Sequence, residues 1–201
     1  MGLAVRLCLC VSALFLFSHA SLAATAIGTV GRVEGPCSGI VEGSADDLAA
    51  GATVYLDEKI TTGADARLAV TFADGTTLTI GEKANITLDQ FVYAAGGVNK
   101  FHATVIGAFR FISGSHDATR EASITTAVAT IGIRGTDFWG GPIDNAAGVV
   151  LLDGAVTVTT AGGSIDLDAA NSGVDIAGPT LTVTNWTEDK RQRALATVTF
   201  R

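Results

Sequence analysis

From residue 24 to residue 184 apolar and polar positions alternate in short runs, separated by Gly, Asp and Asn. Alternation with period two turns one face of a strand to a core and the other to water. Turn signals recur roughly every eight to twelve residues, the rhythm of a sandwich, jelly roll or solenoid. Thr, Val, Ile and Ala fill the runs, and β-branched side chains suit a pleated, half-buried surface. The pattern therefore predicts an all-β fold, a jelly-roll-like sandwich or β-solenoid of short strands.

Particular elements follow from particular residues. Over residues 148–168 a three-strand meander is expected. Asp153-Gly154 reads as a two-residue type I′ turn, setting Leu151 opposite Val156 and Val149 opposite Val158. Gly162-Gly163 reads as the next turn, setting Thr160 opposite Ile165 and Val158 opposite Leu167. Earlier, Leu68, Val70 and Phe72 alternate inward, as do Leu78 and Ile80. A three-residue loop at Asp74-Gly75-Thr76 pairs Phe72 with Leu78 and Val70 with Ile80, with Gly75 left-handed; the alternative is a chain that changes sheets there. Two places break the β rhythm. Ser44-Ala45-Asp46-Asp47 has a cap-like start to one helical turn. Near the C-terminus Asn185 is placed to cap a short helix ending near Ala196, with acids early and Lys190, Arg191 and Arg193 late. Residues 197–200 alternate and read as an edge strand.

The first residues read as targeting rather than structure. Arg6 precedes an apolar run over residues 7–17, and Ser21 and Ala23 stand at the −3 and −1 positions of a cleavage site. The run is too short for the roughly 20 residues that span a bilayer. The expected division is a signal peptide over 1–23, a β domain over 24–184 and a C-terminal helix and edge segment over 185–201. The product would be periplasmic or secreted, with no membrane span after cleavage.

Charge and cysteine narrow the partners. Residues 24–201 carry 12 Lys and Arg against 20 Asp and Glu. That acidic balance argues against nucleic acid and against anionic lipid, both of which call for basic patches. After cleavage Cys37 is the single cysteine, so no internal disulfide is expected. Flanked by Gly35, Pro36, Ser38 and Gly39, it reads as a buried or loop thiol.

Among residues that could carry chemistry, Arg134-Gly135-Thr136-Asp137-Phe138 is the sharpest motif. Ile131 and Ile133 face one way before it, and Phe138 resumes the apolar pattern after Gly135. A Gly between strands marks a bulge or a close backbone approach. Arg134 and Asp137 flank that kink and are placed to form a two-pronged ion pair across it. The motif reads as a structural lock joining two halves of the fold, with a ligand-binding Arg134 as the alternative. His102 and His116 have no carboxylate at metal-ligand spacing, so no metal or cofactor is expected. Asp166, Asp168 and the Asp46-Asp47 pair are oxygen donors without a calcium-binding repeat. Ser113-Gly114-Ser115-His116 has the residue types of nucleophilic chemistry, but neighbours in sequence are rarely oriented as a catalytic pair. No enzymatic activity is expected.

Four segments in order resemble the FecR-type periplasmic domain. They are Asp74-Gly75-Thr76, then Gly107-Ala108-Phe109-Arg110-Phe111, then Gly135-Thr136-Asp137-Phe138, and the Val149–Val158 strand pair. The resemblance implies an all-β envelope module of the kind found in iron-uptake signalling, and a function in recognition. Sigma-regulating members join a cytoplasmic anti-sigma segment and a membrane helix to this domain, whereas here a cleavable signal stands first. The expectation is a stand-alone, exported FecR-type protein acting as a non-enzymatic envelope interaction module, related to signal sensing or transport. Its expected partner is an envelope protein, with a glycan as the other ligand class. A structural or adhesin-like surface protein is the alternative, and a carbohydrate-active enzyme a more distant one.

Overall fold

The computed structural model describes residues 24–93, 100–114, 121–178 and 180–201. The expected targeting segment and His116 lie outside the described residues. In chain order the strands are β1 (Ala26–Glu34), β2 (Cys37–Val41), β3 (Ser44–Asp47), β4 (Thr53–Tyr55), β5 (Lys59–Thr62), β6 (Arg67–Phe72), β7 (Thr77–Ile80) and β8 (Asn85–Val92). Then come β9 (Lys100–Ile106), β10 (Phe109–Ile112), β11 (Glu121–Thr125), β12 (Thr130–Ile143), β13 (Ala146–Thr160), β14 (Gly163–Leu167), β15 (Ser172–Ile176) and β16 (Val183–Asn185). One helix, α1 (Glu188–Ala196), follows them.

The long hairpin β12–β13 is the spine. Along one edge of β12, residues 130–133 pair with β11 and residues 137–140 pair with β10. Along the far edge of β13, residues 156–160 pair with β14 and residues 147–150 with β15. The sheet therefore forks at residues 134–136. One wing runs β11-β9-β8-β5-β2-β3 and the other β10-β7-β6-β1-β4. Phenyl rings close the space between them. Phe72 of one wing lies 5.6 Å from Phe91 and 5.2 Å from Phe101 of the other, and Phe101 lies 5.2 Å from Phe111. Such pairs add about 0.5–1.5 kcal/mol each beyond the area they bury.

The result is a single sheet curled into a half-barrel, matching neither expected architecture cleanly. A solenoid would stack parallel coils, whereas among the described pairings β9 with β11 alone is parallel. A jelly roll would hold its two sheets apart, whereas here one ribbon belongs to both. The all-β class and the C-terminal helix stand.

Several local expectations change. Asp153-Gly154 is no hairpin turn: β13 runs straight through it as a bulge. Only Gly154 has positive φ (+85°) there, and a type I′ turn needs two such residues. The turn is Asp144-Asn145, both left-handed at φ 49° and 64°. The next turn forms, but with Val158 opposite Ile165 and Val156 opposite Leu167, two residues from the expected register. At Asp74-Gly75 the loop has three residues and Gly75 is left-handed at φ +83°. Its residues are 73–75, so Val70 faces Leu78 and Leu68 faces Ile80. Ser44-Ala45-Asp46-Asp47 is strand β3, joined to β2 by a left-handed Glu42-Gly43 turn, because one helical turn cannot repay nucleation.

Helix α1 is capped by Thr187 rather than Asn185, its hydroxyl accepting from the Lys190 amide. Residues 197–198 form a turn and residues 199–200 are irregular, so no edge strand forms here. A second small core forms here on the outer face of the spine. Trp186, Ala194 and Val198 pack against Trp139, Val150 and Ala108. The Trp186 ring lies so close to Gly148 and Gly173 that a Cβ at either would stand 2.8 Å or 2.6 Å from it. The Trp139 indole N–H donates to Thr197 Oγ1 at 3.0 Å.

Candidate functional site

The two motifs singled out in the sequence, sixty residues apart, meet at the fork. Asp74 closes its own turn: Oδ1 accepts the Thr76 amide and Oδ2 the Thr76 hydroxyl, each at 2.9 Å. Thr76 Oγ1 accepts the Gly114 amide at 3.2 Å. One residue back, Ser113 exchanges two bonds with Thr136. Its amide donates to the Thr136 carbonyl at 2.9 Å and its Oγ accepts the Thr136 amide at 3.1 Å. Thr136 Oγ1 then donates to the Asp153 carbonyl at 2.7 Å. The loop after β10 thus ties the Asp74 turn to the spine.

Backbone shape explains the glycines. Between the pairs Arg134–Ala155 and Asp137–Asp153, two residues of β12 oppose Gly154 alone. A compensating bulge follows at Leu152, so Phe138 again faces Leu151. Ile131 and Ile133 point into the core before the bulge and Phe138 after it, an inversion of parity that gives both wings apolar inner faces. A Cβ on Gly154 would overlap the Gly135 carbonyl, and one on Gly114 would overlap the Asp74 carbonyl.

The ion pair differs from the expected one. Asp137 is held by Arg110, whose Nε and Nη2 donate to the two carboxylate oxygens at 2.9 and 2.6 Å. That bond raises the Arg110 pKa, against the opposing effect of burial. Arg134 points to solvent instead and reaches Asp166 at 3.6 Å, with both side chains more than 60% exposed. The bulge carries the Arg134 side chain away from Asp137. Phe138 is buried in the aromatic core. Arg110 belongs to the Gly107–Phe111 segment, but only the pairing of β10 with β12 brings it to Asp137.

The remaining candidates are dispersed. Cys37 is buried, its thiol directed at the Arg67 carbonyl (3.8 Å) and its pKa raised by burial. His102 Nδ1 lies 2.9 Å from Ser123 Oγ and its Nε2 3.7 Å from Asp89, which also accepts the Thr104 hydroxyl. These are the residue types of a nucleophilic triad, but they sit on the open outer face of β8, β9 and β11. Asp46, Asp47, Asp166 and Asp168 are exposed, and no cluster of metal-ligating side chains occurs among the described residues.

What sequence reasoning missed is an apolar mouth that draws residues of β12 from both sides of the fork. A cavity of about 550 Å³ opens where the β9 end, the β11–β12 turn and the β12–β13 hairpin converge. Ile131, Pro142, Val149 and Ile176 are among its walls, and Ile106 and Val128 stand on its rim 55% and 47% exposed. Its polar lining includes Thr126 and Asn145. Val105-Ile106 gave a signal: two adjacent apolar residues in an alternating strand cannot both face the core.

Fold, corner and mouth together define an all-β module with a rigid polar corner and an apolar cleft. Residues 58–157 match the family described as FecR protein, and the chain is a FecR-domain protein. Two crystal structures of a candidate anti-sigma factor from Parabacteroides distasonis share the fold, with TM-scores of 0.55 and 0.56 at 16% identity. Each alignment covers 68% of this chain and 64% or 63% of the other, so the chain spans a little under two thirds of their length. No curated protein matches the sequence. At 16% identity the likeness to these structures is one of fold.

Proposed function

We propose that the protein is an exported, non-enzymatic interaction module of the cell envelope, sensing or relaying a signal related to transport, and that the apolar mouth receives its protein partner. The N-terminal pattern of Arg6, apolar residues 7–17 and the small residues Ser21 and Ala23 supports export to the periplasm or beyond. The FecR domain supports regulation through protein contacts. The mouth carries the reading. Two large aliphatic side chains on the rim of an apolar cleft are what a protein-binding surface presents.

The occupant is an extended segment bearing apolar side chains. Pairing of β9 with β11 ends at Thr104–Thr125, so Val105 and Ile106 bring a strand edge without that partner to the cleft. An added strand would bond to that edge and drop alternate side chains into the cleft. An apolar lining favours a protein segment over a glycan, whose hydroxyls need polar partners.

The test is crosslinking of the C-terminally tagged protein in its native envelope, followed by identification of what co-purifies. One stoichiometric protein partner is expected. Ile106→Asp and Val128→Asp should each abolish its capture while leaving the melting curve unchanged, since both side chains are exposed. Retention of the chain in the cytoplasm, capture unaffected by both substitutions, or recovery of only further copies of the chain would overturn the reading. The last result would favour self-assembly as a surface component.

A further inference from the structure

A second cavity, of about 480 Å³, lies between the β7–β8 turn, the β9–β10 turn and the C-terminal segment. In a chain where acids outnumber bases 20 to 13, four cationic side chains line it: Arg67, Lys83, Arg193 and Arg201. The one lining carboxylate, Glu82, already accepts the Asp65 amide at 2.7 Å.

Arg67 is the buried member, only 5% exposed. Its guanidinium is poorly satisfied. Nη1 reaches Glu34 Oε1 at 3.4 Å and the Asp65 carbonyl at 3.3 Å, and Nη2 reaches the Ala196 carbonyl at 3.4 Å. Nε is buried with no hydrogen-bond partner among the described residues. Buried guanidinium groups are ordinarily held by short, charge-assisted bonds, and a buried donor without an acceptor is costly. Lys83 is exposed and held at φ +52° in its turn, with no ion pair to another described residue. Arg193 pairs with Asp144 and Asp189, and Arg201 with Asp65, all solvent-exposed pairs of the weak kind that exchange readily.

We infer that this cavity is an anion-binding site for a phosphate or carboxylate group of a small ligand, with Arg67 as the buried anchor and Lys83, Arg193 and Arg201 around the rim. An anion there would face four cationic side chains, the least exposed of them Arg67, whose present contacts are all 3.3 Å or longer. The two cavities share Gly107 and Pro142, but none of the four cationic residues lines the apolar mouth. Neither Ile106 nor Val128 lines this one, so its failure would leave the partner reading untouched.

The experiment is isothermal titration of the purified chain at low salt with inorganic phosphate, and separately with succinate. Saturable one-site binding of either anion is expected, weakening as salt is raised. Lys83→Ala and Arg193→Ala should each weaken it by about tenfold, the loss of one charge-assisted contact. Arg134→Ala, outside the cavity, should leave it unchanged. Binding of phosphate alone would assign a phosphoryl ligand, and binding of succinate alone a carboxylate. No saturable binding of either anion at millimolar concentration, or an affinity indifferent to both Lys83→Ala and Arg193→Ala, would overturn the proposal.

Discussion

Gly154→Ala tests the fork of the sheet directly. Gly154 stands at φ +85°, where an L-residue costs about 1–2 kcal/mol. Its new methyl would also overlap the Gly135 carbonyl and stand 2.8 Å from Thr136 Cα. Both are backbone atoms of the neighbouring strand, so relief requires the bulge itself to shift, at about 1–3 kcal/mol. The expected loss is about 3 kcal/mol, or roughly 6–12 °C in Tm for a chain of this size. Gly43→Ala is the matched control: the same φ of +85°, but no heavy atom within 4 Å. It should lose only the conformational part, about 1 kcal/mol. Urea unfolding of both variants, followed by tryptophan fluorescence, measures the difference. Equal losses at the two positions would refute the claim that contact across the spine, rather than backbone strain alone, fixes the glycine.

Three further outcomes are expected. Arg110→Lys removes the two-pronged contact to Asp137 and should cost about 1 kcal/mol, given its partial exposure, whereas Arg134→Ala should stay within about 0.5 kcal/mol of the parent in thermal melts. Glu58 is buried, and that burial raises its pKa despite a bond from the Tyr55 amide. The folded state then binds this proton more tightly than the unfolded one, so stability falls as pH rises from the ordinary glutamate value through the raised one. Glu58→Gln should flatten that part of the stability–pH curve, and an unchanged slope in urea titrations across it would count against the assignment. Gly148→Ala places a methyl 2.8 Å from the Trp186 ring and should cost about 1–3 kcal/mol while red-shifting tryptophan emission as the indole is displaced.

Much of the core was legible because burial follows period-two alternation. Leu68, Val70, Phe72, Leu78 and Ile80 are all buried as their alternation requires. Gly75 was legible for a local reason, since a tight loop there demands positive φ. The turn at Asp144-Asn145 was not, because two residues without Gly give a weaker signal than Asp153-Gly154, which the structure uses as a bulge instead. The same two-residue slip occurred at the Asp74 and Gly162 turns. A slip of two keeps every side chain on its proper face, so the hydrophobic pattern cannot detect it.

By itself the sequence determined the all-β class, the inward faces of the strands, the C-terminal helix and the residues that carry the family resemblance. These depend on a residue and its near neighbours, through backbone preference and side-chain alternation. Tertiary structure alone decided that one ribbon serves both wings, that Asp137 pairs with Arg110 rather than Arg134, and that Ile106 and Val128 frame an apolar mouth. It also decided that Arg67, Lys83, Arg193 and Arg201 share a cavity. Charge pairs and clefts act over a few ångströms between strands far apart in sequence. Which strands become neighbours, and in which register, is settled by the packing of the whole sheet.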